Sequence, residues 1–365
     1  MRALIVGGTG PTGPFIIRGL IERGYRVAML HRGTHELAEI PAEIEHIHVD
    51  PWDPAAVRDA LAQRTFDLSI VTYGRLRATA ANLVGRTGRF ISAGGFPAFR
   101  GFADPWQFTP VGMPVPNYED GPKVANEEEH SRGYRIRLTE EMVLAAHPQG
   151  THFRYPYVYG PRQPLPREWC IVRRILDRRP HIILPEGGLT LCTFGYSGNV
   201  AQAVLLAVDN PTASAGQIYN TGDEHVLSLA QVVECICTAL DHRMEIVSMP
   251  WELARPAWPM IMQPLPTHRV FDIGKMRHEL GYRDMLPAPE ALALTARWYA
   301  DNPPPPGGEV EWVLQDPFEY ETEDRLIALY REGLARMREV QFKQPPGLTM
   351  SYYDPKVRKE RPPLA

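Results

Sequence analysis

Residues 1–33 read MRALIVGGTGPTGPFIIRGLIERGYRVAMLHRG. Ala3 to Val6 is a short, wholly apolar run, as expected of a strand buried on both faces of a parallel sheet. A glycine turn follows. From Pro14 to Glu22 the apolar residues Phe15, Ile16, Leu20 and Ile21 recur at helical spacing. "YRVAML" then has the composition of a second strand. Together these make a β-α-β unit of about 30 residues.

The turn holds Gly7, Gly8, Gly10 and Gly13, and satisfies both G-x-x-G-x-x-G from Gly7 and G-x-G-x-x-G from Gly8. The requirement is steric. One glycine makes the tight turn, one lets backbone approach a pyrophosphate, and one lets the helix pack against the strand. The pyrophosphate rests on free amides at the helix N-terminus. Its position between a strand and a helix makes this a dinucleotide site rather than a bare structural turn. Gly7, Thr9, Gly10, Pro11, Thr12 and Gly13 are the expected pyrophosphate-binding residues.

The end of the second strand reports on the nucleotide. An acid there would accept from the adenosine ribose hydroxyls and favour NAD; an arginine would hold a 2′-phosphate. Here His31 and Arg32 occupy that place, with Thr34 nearby. The reading favours NADP, with NAD as the alternative. "EHIHVD" is a third strand, whose final Asp50 could meet the adenine. His46 and His48 share a face of that strand; without a third ligand nearby they read as structural, and no metal site is expected. "FDLSIVTYG" is a fourth strand ending in Thr72, Tyr73 and Gly74, which would pass the cofactor ribose. "GRFISAGG" is a fifth, carrying Ser92 near its end. Ligands of open parallel sheets collect outside those strand ends. The expected fold is α/β: a Rossmann-type doubly wound parallel sheet.

The whole chain fits such a fold. Its 365 residues can bury a sizeable core, and 44% apolar with 22% charged residues is ordinary for a globular protein. A net charge of −4 gives no electrostatic reason to expect nucleic acid or an anionic membrane as partner. The four cysteines, Cys170, Cys192, Cys235 and Cys237, have neither a disulfide-framework pattern nor zinc spacing, which suits a reducing cytoplasm. No apolar run is long enough for a bilayer, and no signal peptide is expected, because the chain opens into a strand. The 36 prolines, about twice the usual share, cluster in segments that must be loops or crossovers.

Five motifs in order resemble the extended short-chain dehydrogenase/reductase superfamily, its NAD-dependent epimerase/dehydratase group: "GGTGPTG", "RYPYVYGPRQ" (154–163), "FGYSGNVAQAV" (194–204), "IYNTGDEHVLSLAQVV" and "FDIGKMRHELGYRD". Asn199 stands where that family usually has aspartate. "YVYGPRQP" and "LPEGGLTLCTFGYSGNVA" are similar to the atypical branch that contains the chloroplast stem-loop-binding proteins. The resemblance implies that Tyr155, Pro156 and Tyr157 pass the nicotinamide, and that a small substrate lobe follows.

It also implies a Ser/Thr, Tyr, Lys set. The tyrosine exchanges a proton with the substrate oxygen, and the lysine makes that phenol a usable base; an unassisted phenol has a pKa near 10. In HSRGYRIRLTEEM (130–142) two registers compete. Anchoring on Tyr134 puts Leu138 at the lysine position; anchoring on Glu141 puts Arg137 there and Gly133 at the tyrosine. The candidate catalytic residues are therefore Ser92, Tyr134 and Arg137, a nonstandard set in which Arg137 supplies part of the lysine's charge, with Tyr73, Tyr155, Tyr157 and Tyr159 as alternative phenols from other loops.

The expected organisation is a dinucleotide-binding core over 1–150, a segment over 151–302 that completes the core and forms the substrate lobe, and a helical and extended appendage over 303–365. In "EWCIVRRILDRRP", Arg173, Arg174, Arg178 and Arg179 form a basic helix face, open to an anionic substrate or to solvent. Trp251, Trp258, Met260 and Met262 stand among prolines in a pocket-lining loop, an oligomer contact or a packed lid. Leu326, Ile327, Leu329, Tyr330 and Leu334 give the appendage a helix, and a basic-ended arm follows. The function expected is an NAD(P)-dependent oxidoreductase, epimerase or dehydratase acting on a hydroxylated or carbonyl small molecule such as a sugar nucleotide, in a homodimer. The rivals are a dinucleotide-binding regulator that has lost catalysis and an RNA-binding protein, the latter disfavoured by the charge.

Overall fold

The computed structural model describes residues 1–34, 37–261, 267–344 and 346. The first elements are β1 (Arg2–Val6), α1 (Gly13–Glu22), β2 (Arg26–His31), β3 (Glu45–His48), α2 (Pro54–Leu61), β4 (Phe66–Val71), α3 (Leu76–Leu83) and β5 (Thr87–Gly95). After a long proline-rich crossover come α4 (Glu127–Ala146), β6 (Thr151–Tyr155), β7 (Tyr157–Tyr159), α5 (Arg167–Leu176), β8 (His181–Pro185), β9 (Phe194–Tyr196), α6 (Ser197–Asp209) and β10 (Ile218–Asn220). The rest is α7 (Leu229–Ala239), β11 (Glu245–Met249), α8 (Gly274–Leu280), α9 (Ala288–Asp301), α10 (Glu309–Leu314) and α11 (Tyr320–Arg338).

Seven strands form one parallel sheet in the order β10-β6-β5-β4-β1-β2-β3. Ala3, Leu4, Ile5 and Val6 of β1 are each at most 1% exposed, as the apolar run required. One face of the sheet packs on α1 and α6 through Ile16, Ile17, Leu20, Val204 and Leu205; the other buries Val57, Leu61, Leu83 and Val143. Strand order reverses between β1 and β4, which opens a crevice at their C-terminal ends.

Local chemistry sets the helix starts. Asp53 caps α2 by accepting from the amides of Ala55 and Ala56, with Pro54 at the first helical position. Ser228 and Gln231 form a reciprocal capping box at α7. Helix α1 has no side-chain cap.

The smaller lobe uses two short parallel pairs, β8 with β11 and β7 with β9. Its core joins α5, α7 and α9 through Trp169, Ile175, Val233, Ile236, Leu292 and Tyr299. Residues 1–318 form one compact unit, and residues from Glu319 form a second. Two strands of the main sheet, β6 and β10, come from beyond residue 150, because chain order and sheet order diverge there.

Residues 309–318 are fixed to α5 by charge. Arg174 Nη1 lies 2.6 Å from Asp316 Oδ2, with both side chains 1% exposed. Arg173 pairs with Asp177 and Glu311, and Trp169 Nε1 donates to Glu311. Arg173 and Arg174 are therefore committed to internal pairs rather than to a solvated or substrate-facing surface. In the second unit Ile327 is buried and Leu329 exposed. Met262 and the arm beyond residue 346 lie outside the described residues.

Removing one partner of a buried ion pair strands the other charge. Asp316→Ala should lower unfolding free energy by about 3 kcal/mol or more, measured by chemical denaturation. A loss under about 1 kcal/mol would show that the Arg174 pair does not hold this segment.

Candidate functional site

A groove of about 530 Å³ lies along the crevice, within the usual range of small-molecule pockets. Of the expected cofactor residues, Gly7, Thr9, Gly10, Pro11, Thr12, His31, Arg32, Thr72, Tyr73 and Tyr155 line it. Gly13, Asp50, Gly74, Pro156 and Tyr157 do not.

The glycines work by absence of side chains. Gly7 has φ +97°, and a Cβ there would stand 2.5 Å from Tyr73 Cβ. Gly13 lies beneath the loop, where a Cβ would meet the Gly8 carbonyl oxygen at 1.9 Å. The loop closes on itself through Gly10 N to Gly7 O at 3.3 Å and Gly13 N to Gly10 O at 2.9 Å. Thr72 pins the opposite wall, donating from its amide and its hydroxyl to Val6 O.

The other four residues have structural tasks. Asp50 Oδ1 accepts from the Trp52 amide in a turn. Gly74, at φ +87°, lets the chain pass Pro51. Pro156 packs against Gly195. The Tyr157 hydroxyl donates to Leu165 O and accepts from the Arg167 amide.

The expected catalytic grouping is not assembled at the groove. Ser92 is buried, with its hydroxyl 2.8 Å from His152 Nδ1. Burial pushes the His152 imidazole down to about 4, so it is neutral near pH 7. Beside it Arg154, fully buried, makes a two-bond pair with Glu140 of α4, both contacts at 2.8 Å, and also donates to Glu119 O. The α4 face near β6 thus serves a closed polar network. Arg137 lies over the Tyr134 ring, 5.0 Å from its centre, and donates to the carbonyls of Val124 and Ala125 while pairing with Glu141. Ser92, Tyr134 and Arg137 are all absent from the groove lining.

The phenol that does reach the groove from the sheet is Tyr155, at the end of β6. Its hydroxyl is buried beside Thr12, and no described residue partners it at full hydrogen-bond geometry. Burial pushes its pKa well up, so it stays protonated and can donate to a ligand. The groove also takes Val158, Pro164 and Arg162 from the segment after β6. Arg162 adopts φ +63° and pairs with Glu39, whose carboxyl it holds below the usual range. "GPRQ" was visible in the sequence, but nothing in it marks a left-handed arginine turned toward Glu39.

The dinucleotide fits this lining. The uncapped start of α1 faces the groove, Arg32 and Thr34 flank the end of β2, and no carboxylate lines the groove among the described residues.

A second, small cavity lies in the lobe, lined in part by Tyr159, Arg167, Glu168, Cys192, Asp223 and His225. Strand β7 is its shared wall, with Val158 on the groove side and Tyr159 on the cavity side. Burial raises Asp223 to about 6, although it accepts from the Tyr159 hydroxyl, Asn199 Nδ2 and the Tyr196 amide. Asn199 also accepts from the amides of Met285 and Leu286, fixing its orientation. Burial raises Glu168 to about 7; its Oε2 has no hydrogen-bond partner among the described residues.

With this geometry the likeness to known proteins can be weighed. No protein-family model matches the chain. It is 35% identical over 68 residues to the UDP-D-apiose/UDP-D-xylose synthase 1 of Arabidopsis thaliana, spanning 19% of this chain and 18% of that protein. It is 24% identical over 238 residues to the Chloroplast stem-loop binding protein of 41 kDa b of the same plant, spanning 62% of this chain and 60% of that protein. The UDP-glucose 4-epimerase structure from Thermotoga maritima superposes with a TM-score of 0.66 at 16% identity, covering 83% of this chain and 99% of that one. A dTDP-glucose 4,6-dehydratase from Streptomyces venezuelae, solved with NAD bound, gives 0.62 at 19% identity, covering 83% and 98%. The chain has the fold of the NAD-dependent epimerases and dehydratases. Among its described residues no helix is long and apolar enough to cross a membrane.

The buried Glu168 gives a pH test. Its folded pKa, about 7, exceeds the ordinary 4.5, so the folded chain holds a proton that the unfolded chain releases. Its contribution is fully present below about pH 4.5 and is lost as pH rises through 7. Glu168→Gln should therefore gain stability relative to the parent by on the order of 3 kcal/mol between pH 4.5 and 7.5, by denaturation across pH. A flat difference would mean that Glu168 is hydrated or paired.

Proposed function

We propose that this chain is an NADP-preferring oxidoreductase, epimerase or dehydratase acting on a hydroxylated or carbonyl small molecule, with a sugar nucleotide the best-supported class. The observation that carries it is the groove at the β1/β4 crevice, where an uncapped helix start, a glycine loop and Arg32 meet, with no carboxylate among the described lining residues. Bound NADP would supply a hydride donor or acceptor at nicotinamide C4.

The chain's own residues bind and orient. The α1 amides hold the pyrophosphate, and Arg32 with Thr34 holds the 2′-phosphate. Tyr155, kept protonated, donates a hydrogen bond to the ligand. Thr72 and Tyr73 flank the ribose. We assign part of the family lysine's electrostatic role to Arg137, supported by its position over Tyr134. The solved neighbours that act on UDP-glucose or dTDP-glucose support the substrate class.

A second reading, dinucleotide binding without turnover, is favoured by one observation: Ser92, Tyr134 and Arg137 lie outside the groove lining. Label transfer separates the two. Passage of tritium from C4-labelled NADPH to a keto-sugar nucleotide supports the enzyme; tight binding with no transfer to any of a panel supports the second reading.

The cofactor preference has its own test. Arg32→Ala should weaken NADPH binding about tenfold or more in calorimetric titration and leave NADH within about twofold, one lost charge-assisted phosphate contact being worth roughly 1.5–3 kcal/mol. Equal weakening of both nucleotides would contradict the assigned role of Arg32.

A further inference from the structure

Three histidines converge where β2 and β3 end. The two strands pair in parallel with Met29 opposite His46 and His31 opposite His48. Positions 46 and 48 share a face because side chains alternate along a strand, and the register brings His31 onto that face beside them. The third ligand that His46 and His48 lacked in sequence comes from the neighbouring strand. One ring-nitrogen donor from each of the three lies within 4.8 Å of the other two. The ring centres are 4.9 to 5.8 Å apart.

We propose that His31, His46 and His48 form a binding site for a divalent transition metal of the zinc type. Three imidazoles with neither thiolate nor carboxylate suit zinc, cobalt, nickel or copper, and offer nothing to the oxygen-seeking magnesium and calcium ions. Three protein ligands leave a fourth position open. Burial grades from His31, 4% exposed, through the half-buried His46 to the exposed His48, so the site opens to solvent on one side.

The metal-free arrangement shows what an ion would change. His31 Nε2 and His46 Nδ1 are 2.9 Å apart and share a proton, while His31 Nδ1 accepts from the Gly33 amide at 3.2 Å. Tetrahedral coordination with bonds of 2.0–2.1 Å needs donors about 3.3 Å apart. An ion would replace the shared proton, spread that pair slightly and draw in the exposed His48 ring. With Nε2 on the metal, the His31 proton moves to Nδ1, so the Gly33 amide must turn away. Gly33 sits at φ +77°, and a Cβ there would stand 3.2 Å from the His48 ring, so glycine gives this turn both its conformation and its room. His31 also lines the dinucleotide groove, so an ion here would sit beside the adenosine end of that groove.

The test uses untagged full-length chain, stripped with chelator and titrated with Co²⁺ alone, with no nucleotide present. This keeps it independent of the proposed function. The expected result is one equivalent of Co²⁺ with visible d–d bands of low-symmetry coordination, bleached by Zn²⁺. His46→Gln and His48→Gln should each weaken binding about tenfold or more, and the double variant should lose the bands. Both positions lie toward solvent, so the variants should keep the parent's far-ultraviolet circular dichroism. Zn²⁺ should raise the parent's melting temperature and leave the double variant's unchanged. Absence of stoichiometric bands in the parent, or bands that persist in the folded double variant, would overturn the proposal.

Discussion

Helix α1 can lie against β1 only because position 13 has no side chain. The backbone of Gly13 passes so close to the Gly8 carbonyl that a Cβ would overlap it. This one close approach sets the angle at which α1 leaves the sheet. That angle aims the helix start at the crevice, and the glycine loop becomes one wall of the groove. Thr72, bonded to Val6, fixes the other wall. Tyr155 of β6, Val158 of β7 and Arg162 and Pro164 beyond it add residues to a site whose floor is already decided by that contact.

The same sheet explains how the α4 helix is anchored. Its Glu140 is drawn into a two-bond pair with Arg154 at the end of β6. A buried guanidinium of that kind must be fully satisfied, and Glu140, the Glu119 carbonyl and Asn220 together meet it. The neutral His152 and the Ser92 hydroxyl complete the set. On the opposite flank Arg137 holds the two carbonyls that precede the helix. These charged contacts fasten the crossover to the sheet.

The sheet and the glycine turn were legible in the sequence because they rest on local signals: an apolar run, spaced glycines and helical periodicity. Ten of the fifteen expected cofactor residues line the groove for the same reason, since they sit at strand ends or in the turn. What was not legible depends on pairing between distant segments. Arg174 looked like a solvated helix face until Asp316, 142 residues on, was seen to bury it. His31 and His48 are ordinary residues until parallel register sets them side by side. Arg162 needs a backbone conformation that its neighbours do not announce. Ser92 lay near the expected strand end, but only the packing of β6 reveals that His152 takes its hydroxyl.

The most direct test of the account is a crystal structure with NADPH bound. It predicts the dinucleotide across the C-terminal edge of the sheet, with the pyrophosphate on the amides at the start of α1, the 2′-phosphate at Arg32 and Thr34, and the Tyr155 hydroxyl within hydrogen-bond reach of the ligand. A dinucleotide bound away from the β1/β4 crevice, or a 2′-phosphate that does not contact Arg32, would contradict it.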